Sequence, residues 1–155
     1  MKGKRIPAAG TMLSGTATLC PDGDGFTLAS EIGPVPIRLV WIDAPEMDQP
    51  YGGEARRALW DLIHGYTLHV YVKGHDKWGR TLGMVMRDDG LVVNLEMVSI
   101  GAAYYYGRFG HGWPSMLLAE VKAKAEKRGL WALLHQRTPH DWRRLFHFHV
   151  RKRGA

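Results

Sequence analysis

Cysteine is almost missing from this chain of 155 residues: Cys20 stands alone. That excludes an internal disulfide and a thiolate zinc site, and leaves Cys20 to be read as a small buried apolar residue. Long apolar runs are missing as well. No stretch approaches the roughly 20 apolar residues that a membrane-spanning helix needs. The basic N-terminal residues Lys2, Lys4 and Arg5 are not followed by the apolar run of about 7 to 15 residues that marks a leader. The expectation is therefore a cytoplasmic protein as written, or a secreted or periplasmic one if a leader has been removed. Internal repeats and low-complexity linkers are absent too, and the length predicts one domain. Acids are scarce relative to bases, 15 against 21, for a net charge of +6 and a pI of about 9.6. That balance favours a polyanionic partner, with nucleic acid first and an acidic membrane surface second.

What is present suffices for a core, since 45% of the residues are hydrophobic. Thr16 to Leu19, Phe26 to Ala29 and Pro36 to Ile42 read as three strands, with the glycine-punctuated turn PDGDG between the first two. From Gly53 to His64 the period changes: Ala55, Leu59, Leu62 and Ile63 share one helical face, and Gly65 is placed to stop the helix. Tyr66 to Val72 and Thr81 to Met86 read as two further strands. Val92 to Ile100 is a short helix, Ala102 to Tyr106 is ambiguous, and Ser115 to Arg128 is a second clear helix with Leu117, Leu118, Val121 and Ala125 on one face. This order predicts an α+β, mainly β chain: a five-stranded barrel of the oligonucleotide-binding type with about three packed helices. The expected organisation is a flexible N-terminus over 1–12, the barrel domain over 13–134, and a basic extension over 135–155. Part of that extension is expected to dock, because Trp142, Phe146 and Phe148 lie in it.

Four acids and two arginines stand out by position. Asp22 and Asp24 lie in the first turn, Asp43 and Glu46 end the run IRLVWIDAPE, and Arg38 and Arg80 lie on or beside strands. A hard divalent cation takes carboxylate and carbonyl oxygens and accepts water as the remaining ligands. Two aspartates from different loops, with a carbonyl in the bend at Ala44-Pro45, would suit one. Arginine forks onto phosphate oxygens but is too basic to give up its proton readily, so Arg38 and Arg80 suit charge stabilisation and contact with a leaving oxygen. Glu46 suits the acceptance of a proton from attacking water, or its orientation. Each feature also has a plain structural reading. DGDG is a common turn, Arg38 could pair with Asp43 in a structural ion pair, and Asp-Ala-Pro-Glu could open a helix. Spacing alone does not bring the six together.

In order and at compatible spacing, PDGDGF, IRLVWIDAPE, QPYGGEA, DKWGRTLG, DGLVVNLEMVSIGAA and AEVKAKAEKRGLW resemble the staphylococcal nuclease-like (thermonuclease) family over about Leu13 to Leu133. Oxygen ligands suit Ca²⁺ and Mn²⁺ alike, and the resemblance tips the choice to Ca²⁺: it implies a Ca²⁺-dependent phosphodiesterase that cuts DNA and RNA without sequence preference and leaves 3′-phosphates. It implies Asp24, Asp43 and the carbonyl of Ala44 as metal contacts, with Asp22 as a supporting acid behind them. Arg38, Glu46 and Arg80 match the catalytic trio, and Lys77, Trp78 and Tyr105 fall where substrate contacts are expected. The expected partners are DNA and RNA, single strands preferred, rather than a membrane, bound by a monomer.

Two departures from the family pattern stand out. Gly25 replaces the usual threonine after the second turn aspartate, and Trp78 replaces a tyrosine, which keeps a stacking surface and loses a hydroxyl. Among Tyr104, Tyr105 and Tyr106 the alignment slips. A catalytically weak nucleic-acid-binding domain of the same fold is the competing expectation. For His135, His140, His147 and His149, the preferred reading is a titratable basic tail, and the other is a transition-metal site.

Overall fold

In the computed structural model, residues 5–107 and 113–147 are described. Five strands close a barrel in the order β1 (Met12–Asp22), β2 (Gly25–Ser30), β3 (Gly33–Leu39), β6 (Thr81–Arg87) and β5 (Leu68–His75), with β5 returning to β1. All neighbours are antiparallel except β3 and β6. The strand β1 serves two neighbours. Its first part pairs with β5, its later part with β2, and register shifts at Leu19 and before Asp22 bend it from one to the other. The predicted five-stranded, mainly β fold is the one that forms.

The strand β3 shows why a buried-looking run delivers an arginine. Val35, Ile37 and Leu39 are buried and Arg38 is on the opposite face, as a period of two requires. Pro34 and Pro36 sit where β3 has only β2 beside it, since pairing with β6 starts at Ile37. The strand expected over 36–42 is in fact split. It ends at Leu39, Trp41 turns in the left-handed region (φ 65°), and a two-residue strand β4 (Ile42–Asp43) then pairs with β7 (Tyr104–Tyr105). That turn is what sends Asp43 toward the barrel mouth rather than along it.

Helix α1 (Gly52–Ile63) packs on β1 through Ala55, Leu59 and Ile63, the predicted face. Helix α2 (Val93–Ser99) inserts Asn94, which is fully buried. Its amide oxygen accepts from Val85 N–H at 2.9 Å, and its nitrogen donates to the carbonyls of Val40 at 3.0 Å and Gly83 at 3.1 Å. Beyond Gly83 the strand β6 no longer pairs with β3, and the Asn94 side chain replaces the missing neighbour. Helix α3 (Pro114–Ala125) packs on α2 with Met116, Glu120 and Ala123 inward. The face expected from Leu117, Leu118, Val121 and Ala125 is real but exposed. Periodicity reports which residues share a side, not which side meets the core. A short helix α4 (Pro139–Trp142) follows, capped by the Thr138 hydroxyl, and runs into one π-helical turn over 143–147. Among the described residues no helix is long and apolar enough to cross a membrane.

Candidate active site

At the barrel mouth the β1–β2 turn, β3, the segment after β4, the turn before β6 and the C-terminal segment converge on one cavity of about 280 Å³. Its walls include Asp22, Asp24, Arg38, Asp43, Glu46 and Arg80. Asp24 and Asp43 are buried, at 7% and 5% exposure. The Asp24 carboxylate accepts the Ala44 N–H at 2.8 Å, which ties the first turn to the end of β4. Behind it, Asp22 accepts the Asp24 N–H at 3.2 Å. Burial, and then the Asp24 charge, push the Asp22 pKa up to about 6. Burial also raises that of Asp43, even though Arg143 pairs with it. The acids thus form a compact, poorly hydrated cluster that favours a compensating positive charge.

Arg38 supplies part of that charge and is held rigidly. One terminal nitrogen donates to the carbonyls of Leu39 (2.8 Å) and Ile42 (3.0 Å). The other lies 3.3 Å from Asp24 and 3.4 Å from Asp43. Arg80 is fixed differently. Asp76 accepts the backbone N–H groups of Trp78 and Arg80, both at 2.9 Å, and its second oxygen takes Arg80 Nε at 2.6 Å. The Nε end is thereby anchored, and the two terminal nitrogens are left to serve as a fork.

Glu46 is placed by a tight loop. Its N–H donates to Gln49 Oε1 at 3.0 Å, and its carbonyl lies so close to Gly52 that a Cβ there would stand 2.0 Å away. Only glycine fits at the start of α1, and this close approach brings Glu46 to the cavity rim. Arg143 completes the site from the far end of the chain. It donates to Glu46 at 2.5 Å and to both oxygens of Asp43 at 3.2 and 3.4 Å. Burial works against its charge, but the hydrogen bonds to Asp43 and Glu46 hold its pKa above the ordinary arginine value.

Comparison with known proteins bears on this geometry. The family model described as staphylococcal nuclease homologue matches residues 36–133, which include Arg38, Asp43, Glu46 and Arg80. The chain belongs to that family. This staphylococcal nuclease homologue is 38% identical over 122 residues to an uncharacterized endonuclease of Escherichia coli, covering 79% of each chain. It is 37% identical over 124 residues to an uncharacterized endonuclease of Haemophilus influenzae, covering 79% of this chain and 68% of the relative. Its similarity to the probable staphylococcal-like nuclease CAN1 of Oryza sativa subsp. japonica is 39% over 108 residues, 70% of this chain but only 32% of that longer protein.

The metal, supporting and catalytic residues that the resemblance names all line the one cavity. Trp78 is there too, 70% exposed, with Lys77 Nζ at 4.5 Å and Arg80 Cζ at 5.5 Å from its ring centre. Tyr105 is elsewhere. It lines a neighbouring cleft with Tyr104 and His140, and its N–H donates to the buried Glu120 at 2.5 Å. Tyr106 instead faces a groove of about 620 Å³ shared with Trp41, Lys73, Trp78 and Arg80. His140 and His147 sit beside Asp141 (3.6 Å) and Asp48 (3.1 Å), and His149 lies outside the described residues. Among the described residues no three His, Cys, Asp or Glu side chains gather as a metal cage. Asp76 and Gln49 stand in the runs DKWGRTLG and QPYGGEA, but nothing in those runs says which atoms they hold, whereas Arg143 had no signal, because its partners lie 97 and 100 residues away.

Proposed function

We propose that this staphylococcal nuclease homologue is a nuclease that hydrolyses DNA and RNA without sequence preference, uses a divalent cation, and leaves 3′-phosphates. The convergence of Asp24, Asp43, Glu46, Arg38 and Arg80 from separate elements on one polar cavity is the observation that supports this reading most. Ca²⁺ fits the donor set: two buried carboxylates and a nearby carbonyl are hard oxygens, too few for a closed cage and so open to water and a phosphate oxygen. Mn²⁺ fits on the same grounds. Asp24, Asp43 and the Ala44 carbonyl would hold the ion, which would supply charge stabilisation to the phosphate.

The protein's own groups supply the rest. Arg38 and Arg80 grip the equatorial phosphate oxygens, where negative charge grows as water attacks. Glu46 takes a proton from that water as the new P–O bond forms. The P–O5′ bond breaks, Arg80 faces the departing oxygen, and solvent returns the proton it needs. The groove lined by Trp41, Trp78 and Tyr106, with Lys73 and Arg80 along it, suits stacked bases of a single strand. One chain supplies every residue named here, which supports a monomer as the proposed active form.

Gly25 favours a second reading, a binding domain with weak catalysis, since the turn there lacks a hydroxyl. Digestion of a single-stranded DNA oligonucleotide with Ca²⁺, followed by mass spectrometry of the ends, tests the proposal. Fragments with 3′-phosphates and 5′-hydroxyls are expected, with binding that weakens steeply in salt. Products ending in 3′-hydroxyls would refute the assigned bond, and salt-sensitive binding without cleavage would favour the second reading.

A further inference from the structure

Arg143 stands on the two carboxylates that the proposed chemistry needs most. Its fork spans both oxygens of Asp43 and reaches Glu46. A cation bound through Asp43 and the Arg143 guanidinium compete for the same oxygens, and they repel each other across the same few ångströms. Arg38 does not face this conflict in the same way, because the Leu39 and Ile42 carbonyls hold it whatever happens to Asp43.

The segment that carries Arg143 is lightly fastened. Of α4 and the turn after it, only Pro139 is buried, and Leu145 and Phe146 are exposed. Its root is firm, since the Arg137 carbonyl accepts Gln49 Nε2 at 2.7 Å and the Tyr104 hydroxyl at 3.0 Å. Beyond that root, among the described residues, Asp48 ties the segment through Trp142 Nε1 at 3.0 Å and His147 Nε2 at 3.1 Å. Trp142 packs on Phe146 within the segment itself, at 4.1 Å between ring centres. With so little apolar burial, the pairing of Arg143 with Asp43 and Glu46 is a principal tie of the segment among the described residues, and it sets the guanidinium in the cavity wall.

We propose that Arg143 is a built-in counter-ion of the active site, and that the segment from His140 to His147 is an autoinhibitory strap that cation loading releases. The strap neutralises Asp43 and Glu46 while the site is idle. Loading frees Glu46 to handle water and opens the cavity to a phosphodiester. This rests on the cation-dependent reading above.

Calorimetric titration of the full chain with CaCl₂ tests it, comparing the native protein with Arg143→Gln and with Trp142→Ala, which loosens the strap while keeping the guanidinium. Arg143→Gln is expected to bind Ca²⁺ about tenfold more tightly, the low end of what charge-assisted hydrogen bonds contribute. Trp142→Ala shifts affinity the same way by a smaller factor. Hydrogen exchange adds a readout independent of catalysis: Ca²⁺ should speed exchange at 140–147 of the native chain while slowing it at Asp24 and Ala44. Native binding with unchanged or weaker affinity in Arg143→Gln, or a strap whose exchange does not rise, overturns the strap and leaves the nuclease reading standing. No binding of Ca²⁺ or Mn²⁺ at millimolar concentration by any of the three proteins overturns both.

Discussion

Replacing Asn94 with alanine tests whether one buried amide holds the frame on which the site is built. The side chain makes three hydrogen bonds, to Val85 N–H and to the carbonyls of Val40 and Gly83. Gly83 keeps a partner without it, because its carbonyl also accepts the Val40 N–H at 3.0 Å. Val85 N–H has no second strand to turn to, and a buried unpaired donor costs about 1–3 kcal/mol. The Val40 carbonyl is closer to solvent and adds less, and the lost side-chain volume adds a further amount. Together these give about 3 kcal/mol, a large share of the roughly 5–15 kcal/mol by which a domain of this size is stable. Urea unfolding followed by tryptophan fluorescence measures it. The midpoint should fall with the slope unchanged. A loss under about 1 kcal/mol would refute the claim that Asn94 replaces a missing strand neighbour.

Three other expectations follow from two side chains. Burial pushes the Cys20 thiol up to about 12, so a thiol reagent at pH 8 should leave the folded chain unmodified and react once per chain in urea. Because the unfolded thiol ionises near its ordinary 9.0 while the folded one keeps its proton, stability should fall as pH rises above that value, and a flat profile there would contradict the burial. Asp76→Ala removes the acceptor of Arg80 Nε and of two turn amides. Cleavage should fall by about 10- to 100-fold with the fold retained, since a misplaced catalytic group loses on that scale. Unchanged kcat would mean that Arg80 needs no anchor.

Much of this was legible in the residues. Alternation in β3 set Arg38 apart from Val35, Ile37 and Leu39, and a helical period placed Ala55, Leu59 and Ile63 on the buried side of α1. Other features were not, for physical reasons. The break at Trp41 depends on a left-handed backbone that β-branched and aromatic neighbours do not advertise. The outward Leu117, Leu118 and Val121 form a regular face, but Met116, Glu120 and Ala123 are the residues that meet α2 and β7. Glu120 is an acid at a core position because it caps the Tyr105 N–H and pairs with Lys124. Arg143 read as one basic residue among many in the tail, and 97 residues separate it from Glu46, whose carboxylate it holds. Separations of that kind carry no local pattern, so only folding reveals them.

Cleavage of a single-stranded oligonucleotide in Ca²⁺, in Mg²⁺ and in chelator, by the native chain, Glu46→Gln and Arg38→Lys, bears most directly on the site. Calcium-dependent cleavage that falls by about 100-fold or more in both variants is the predicted result. Cleavage that survives the chelator, or that Glu46→Gln retains in full, would contradict the roles given to Asp24, Asp43 and Glu46.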